Sequence, residues 1–168
     1  MTGPDGAGSP APVPRGRATY GKDRRIRRRA DFLRVQSEGK RATSPHFVLL
    51  VTVTVAASPT SNAARKAGRS DPAPRAASSR LGVVVTKKVG NAVQRNRVKR
   101  LCREVFRQWP GYVPDGIDLV VIARGPAYEL GLRDVKREWE RARGAVLRNA
   151  ALVLEAAARA AATVETGP

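Results

Sequence analysis

The sequence predicts a two-layer α/β sandwich built on a mixed sheet, and two observations carry that prediction. Residues 46–55, 80–86 and 117–123 are short, β-branched apolar runs, whereas 91–109 and 130–160 repeat apolar residues at helical spacing. Their order, strands followed by helix, strand and helix, is that of helices packed on a sheet. No internal repeat interrupts it.

The N-terminal stretch 1–21 is rich in Pro, Gly and Ala without periodicity, which reads as a disordered extension. A basic run follows, with Arg24, Arg25, Arg27, Arg28 and Arg29. It reads either as a solvated arm or as an RNA-contacting one. Asp31 is expected to cap a short helix over 31–39 that carries Phe32 and Val35 on one face and ends at Gly39. Lys40–Thr43 offers a short extra strand. His46–Val55 alternates, with Phe47, Leu49, Val51, Val53 and Val55 on one face, so a strand is expected there. Residues 56–79 are a low-complexity insert of Ala, Ser and Pro, expected to be a disordered excursion between neighbouring strands.

Arg80–Thr86 forms the next strand. In the helix that follows, Gly90-Asn91 supplies an N-cap and Pro110-Gly111 the stop. Val98, Leu101, Cys102, Val105 and Trp109 make its buried stripe, which assigns Cys102 to packing. Ile117–Ala123 is apolar on both faces and belongs in the sheet interior. Leu132, Val135, Trp139, Ala142, Val146 and Ala150 define a last amphipathic helix. The folded domain is thereby set at 22–155, with 156–168 as a frayed tail.

Lys plus Arg number 32 against 14 Asp plus Glu, a formal net charge of +18. Small soluble domains usually stay within about 2 to 8 charges of zero, so the excess calls for a polyanionic partner. Nucleic acid is the first candidate and an anionic membrane surface the second. A single cysteine excludes a disulfide framework, and one histidine with one cysteine gives no zinc site. No apolar run reaches the ~18 residues of a membrane span, and the first 30 residues show no secretory h-region. A reducing, cytoplasmic setting is the expectation. No nucleophile has a neighbouring His beyond the lone His46, and Glu104 and Asp118 lack the convergent carboxylates that a two-metal nuclease needs. No catalytic residue and no metal site are therefore expected in the protein.

The most informative stretch is Thr86 to Arg100, a strand end, a turn and a helix start carrying Lys87, Lys88, Arg95, Arg97, Lys99 and Arg100. Cations at a helix N-terminus oppose its dipole and repel one another. Phosphates docked there would be favoured by the dipole, the free N–H groups and the side chains together. Arg95 and Arg97 point about 200° apart on a helix. Either they reach two RNA segments or one of them orders the loop.

The run KKVGNAVQRNRVKRLCRE, with Arg95-Asn96-Arg97 at its centre, resembles the signature of the protein component of bacterial ribonuclease P. The flanking order matches over roughly 22–150: a basic segment, Asp31-Phe32, FVLLV, LGVVVTKK, the signature, then DLVVIAR ending at Arg124. The resemblance implies an αβββαβα fold with a left-handed crossover. It implies a protein that is not itself the catalyst: an RNA subunit using Mg²⁺ removes the 5′ leader of precursor tRNA, and the protein binds that RNA and the single-stranded leader. By the same resemblance Lys87, Lys88, Asn91, Arg95, Asn96, Arg97, Lys99, Arg100 and Arg103 would contact the catalytic RNA. Arg24 and its neighbours, Arg25 among them, would extend that surface or approach the leader. Phe32 and Phe47 match aromatic positions of the leader cleft, although either can instead be a core residue. Gln36 and Leu50 stand where some relatives carry aromatics. No cofactor is expected on the protein, and neither a membrane nor a small-molecule substrate as partner. The alternatives are a ribosome-associated RNA-binding protein, a DNA-binding protein and a protein-only ribonuclease.

Overall fold

The computed structural model describes residue 21, residues 24–55 and residues 78–165, with side chains to residue 163. The 1–21 extension, apart from Gly21, and the insert, apart from Ser78 and Ser79, lie outside the described residues. The elements are α1 (Arg29–Glu38), β1 (Lys40–Thr43), β2 (Phe47–Val53), β3 (Arg80–Val85), α2 (Ala92–Gln108), β4 (Ile117–Ala123) and α3 (Leu132–Glu165). Short 3₁₀ turns at Lys87–Val89 and Ala127–Glu129 precede α2 and α3.

The sheet runs β1-β2-β4-β3, antiparallel except for the parallel pair β3 and β4. β4 is interior, as its two-sided apolar sequence requires. Strand alternation then sorts side chains to two faces. Phe47, Leu49, Val51, Leu81, Leu119 and Val121 enter the main core beneath α2 and α3, where they meet Val98, Cys102, Val105, Val135, Trp139 and Val146. Val48, Leu50 and Val120 face the other way, with Phe32, Val35 and Ile26 packed on them. One helix, α1, lies across this second face.

The boundaries differ from expectation where side-chain partners override local signals. Helix α1 starts at Arg29, so Asp31 sits in its first turn instead of capping it, and Arg28 at the cap makes no side-chain bond. Asp31 pairs with Arg80 at 3.5 Å. β2 ends at Val53, and Val55 is exposed beyond it. In α2, Phe106 joins the buried stripe, while Leu101 and Trp109 are only half-buried. Helix α3 continues to Glu165, so ten of the residues assigned to a frayed tail are helical. The alanines of that stretch explain why: alanine has the highest helix propensity of any residue. Residues 166–168 lie outside the described residues.

Two polar clusters lock the layers. Asp118, fully buried at the start of β4, accepts from Arg34 (2.7 Å), from Arg80 (Nε 2.7 Å and Nη2 2.6 Å) and from Thr54 (2.9 Å). The bond to Asp118, more than any other interaction, raises the Arg80 pKa. This knot ties α1 to the β2, β3 and β4 ends. On the other face Glu138 accepts from Ser44 Oγ at 3.0 Å and from the His46 backbone N–H at 3.2 Å, and it pairs with the His46 ring. His46 thereby fastens the β1–β2 turn to α3.

Candidate nucleic-acid interface

The turn before α2 is built by a few backbone-directed contacts. Asn91 caps the helix: its side chain accepts from Gln94 N at 2.9 Å, and Gln94 Oε1 accepts from Asn91 N at 2.8 Å. This reciprocal capping box satisfies two donors that would otherwise be orphaned. Gly90 adopts φ +152°, and a Cβ there would collide with Gln94 Oε1, so the box requires glycine at that position. Arg95 Nη1 donates to the Gly90 carbonyl at 2.7 Å. This bond fits the reading in which one of the two arginines orders the loop.

The remaining cations of the signature fan out from this rigid turn. Lys87 and Lys88 are exposed on the 3₁₀ turn at the end of β3. Asn96, Arg97 and Arg100 are exposed on one flank of α2 and line a hollow with Val93, Leu101, Glu104 and Leu132. Val93, 77% exposed, is an apolar floor in a cationic rim. Lys99 and Arg103, half-buried, lie on the opposite flank.

Segment 24–26 runs along the free edge of β3 as an extra short pairing. Leu81 N donates to Arg24 O (2.9 Å), Ile26 N donates to Leu81 O (3.1 Å), and Ile26 is buried. This part of the basic run is therefore docked on the sheet. It brings Arg25 and Arg27 together with Phe32 and Arg103 around one depression floored by Leu81 and Val83. Arg24 turns away: its guanidinium lies 5.3 Å from the Phe106 ring centre and reaches Ser79 Oγ at 3.5 Å. It does not share the surface of Arg25.

The two cleft aromatics part company. Phe32 is half-buried beside Gly82, where a Cβ would come within 2.6 Å of the Phe32 ring. Gly82 is thus the space the ring occupies. Phe47 is fully buried in the core under the helices. It has no exposed ring face and cannot stack on a base in this fold, so its assignment to a leader cleft is corrected to core packing. The physical reason is strand parity: Phe47 shares a face with Leu49 and Val51, and that face is the helix-covered one.

The open part of the other sheet face is a groove lined by Gln36, Gly39, Arg41, Val48, Leu50, Val84, Thr86, Ile122 and Arg124. Its floor is aliphatic and its rim carries Arg41 and Arg124. Arg124 is partly held, donating to Ser44 O at 3.0 Å. Arg41 was not a sequence candidate. Its place follows from the pairing of Arg41 with Leu50, a register that local sequence does not encode.

Acidic groups in these surfaces are occupied. Arg107 and then Gln108 hydrogen-bond to Glu104 and hold its carboxyl below the usual range. Burial pushes the Cys102 thiol up to about 12, which leaves it protonated and inert. Among the described residues no group of three or more His, Cys, Asp or Glu is placed to hold a metal ion. Among them, too, no helix is long and apolar enough to cross a membrane.

Comparison with known proteins agrees with this architecture. The ribonuclease P family model matches residues 20–149. The ribonuclease P protein component of Syntrophus aciditrophicus is 37% identical over 120 residues, covering 71% of this chain and 84% of that protein. That of Thermotoga maritima is 38% identical over 106 residues, covering 63% of this chain and 74% of the relative. The solved ribonuclease P protein of Staphylococcus aureus aligns with a TM-score of 0.55 at 28% identity, over 73% of this chain and 94% of that one. With the signature turn, the α/β sandwich and the matched span in agreement, this chain belongs to the ribonuclease P protein family.

Proposed function

We propose that this chain serves ribonuclease P in maturing the 5′ end of tRNA by binding two RNA elements and supplying no catalytic group of its own. The observation that carries the reading is the α2 turn. Its backbone is fixed by Asn91, Gln94 and Arg95, while Lys87, Lys88, Arg97 and Arg100 remain exposed around it. A preorganised cluster of that kind grips phosphates without first ordering itself. The catalytic RNA is the partner assigned to this surface.

The groove lined by Leu50, Val84 and Ile122 and rimmed by Arg41 and Arg124 suits the single-stranded leader of precursor tRNA. An aliphatic floor gives weaker stacking than an aromatic one, so charge and shape carry more of the leader's affinity here. Mg²⁺ in this account is used by the RNA. Among the described residues the two buried carboxylates do not fit a metal site: Asp118 is enclosed by two guanidinium groups and Glu138 by Ser44 and His46. The cytoplasm, where precursor tRNA is made in a bacterium, is the setting this reading requires.

The test is reconstitution. Chain plus catalytic RNA should process precursor tRNA at a low Mg²⁺ concentration at which the RNA alone is slow. Chain alone with Mg²⁺ should release no leader. Cleavage by the RNA-free protein would overturn the division of labour.

A further inference from the structure

Helix α3 carries its core stripe on one side, with Val135, Trp139, Ala142, Val146 and Ala150 buried. At 100° per residue, the diametrically opposite line contains Arg133, Arg137, Arg141, Gly144 and Arg148, spaced by 4, 4, 3 and 4 residues. All five are exposed. Among the described residues none of the four arginine side chains takes part in a hydrogen bond or an ion pair, whereas those of Arg34, Arg80 and Arg107 each do. The ridge spans about 22 Å at 1.5 Å per residue, and Glu155 closes it on the same side. Arginines one helical turn apart stand about 6 Å from one another, on the scale of successive phosphates along a strand.

Gly144 adds an independent observation. Glycine in the middle of an exposed helix sacrifices helix stability, and it is tolerated where a partner must approach the backbone. Gly144 sits within the ridge, and even an added Cβ there would only just reach Arg148 Nη1, at 3.5 Å. The result is a flat step between Arg141 and Arg148.

We propose that this outward ridge of α3 is a second RNA-binding surface that takes the phosphate backbone of a base-paired arm. The inference rests on the reading that the chain binds ribonuclease P RNA. It adds a contact on the side of the molecule away from the leader groove, since α3 and α1 cover opposite sheet faces. A leader strand lying on the sheet therefore cannot also occupy the ridge. Phosphate suits the ridge better than a lipid surface does. Insertion into a membrane needs apolar side chains among the cations, and the one large exposed hydrophobic residue among the described side chains of α3, Leu152, lies beyond the ridge.

The experiment compares three full-length proteins for affinity to the catalytic RNA across a NaCl series. The first is wild type, the second carries R133Q, R137Q, R141Q and R148Q, and the third carries R97Q and R100Q. The ridge variant should bind at least tenfold more weakly at low salt. Its slope of log K against log salt should be shallower by about 3.6, as four lost contacts to a duplex backbone require. G144Q, which changes no charge, should weaken binding several-fold while leaving the slope alone and the melting temperature equal or higher. Wild-type affinity and slope in the ridge variant, with the R97Q/R100Q protein weakened, would overturn the ridge and leave the RNA reading standing. Unchanged affinity in both variants would overturn the RNA reading itself. Loss of binding to phosphatidylserine vesicles with RNA affinity intact would assign the ridge to a membrane and overturn the proposal.

Discussion

Arg95 and Gly90 are joined by a 2.7 Å hydrogen bond from the guanidinium to the carbonyl that precedes the helix cap. Arg97, two residues on, has no such duty and stands exposed. Two arginines of one three-residue motif are therefore placed differently, one bonded within the protein and one exposed.

That division predicts different phenotypes. Arg95→Ala should lower the stability of the free protein by about 1 kcal/mol, the net worth of such a bond, and should weaken RNA binding through a disordered turn. Arg97→Ala should leave the melting temperature unchanged and weaken RNA binding alone. Thermal unfolding paired with RNA titration separates the two. Equal melting temperatures for both variants would contradict the loop role of Arg95.

Asp118 predicts a large structural effect. Asp118→Asn leaves Arg34 and Arg80, each still partly open to solvent, facing a neutral amide at a fully buried position. Removing one partner of a buried charge cluster costs about 3 to 5 kcal/mol. Urea denaturation should show a lowered midpoint with an unchanged slope. A loss below 1 kcal/mol would mean that the cluster contributes little to holding α1 on the sheet.

The two phenylalanines should separate in the same way. Phe47→Ala should destabilise the protein by about 3 to 5 kcal/mol, as expected for a buried ring. Phe32→Leu should cost much less stability. If Phe32 stacks on a base of either RNA, the same change should reduce affinity for that RNA by about 1 to 3 kcal/mol. Stability measured by urea and affinity measured by filter binding decide both.

Cys102 should be silent. Its thiol stays protonated up to about 12 because burial disfavours the thiolate. A pKa raised in the folded state stabilises the fold at lower pH, and that contribution is lost as pH rises from the ordinary thiol range toward 12. Iodoacetamide at pH 8 should label the unfolded chain and leave the native protein unmodified. Rapid native labelling would contradict the burial.

Much of this was legible in the residues because the relevant signals are local. The Asn91 cap, the two-sided apolar β4 and the Val98–Val105 stripe are each encoded within a few positions. Phe47 was ambiguous because alternation gives two faces without saying which one the helices cover. Arg124 escaped because β4 meets β2 through a pairing of long sequence separation, and Arg41 because its strand is only four residues long and its pairing with Leu50 across the hairpin decides which face it rims. Asp31 read as a cap because its actual partner, Arg80, is far away in sequence. The extent of α3 was underestimated because the expectation weighed its fading apolar stripe over the helix propensity of its alanines.

The central claim is that the chain contributes binding surfaces, one of them for the leader. The most direct measurement is the affinity of the reconstituted enzyme for precursor tRNA relative to mature tRNA, with wild-type protein and with an R41Q/R124Q variant. The account predicts that wild type favours the precursor and that the variant loses most of this preference while still assembling with the RNA. An equal preference with the variant, or with the RNA alone, would contradict it.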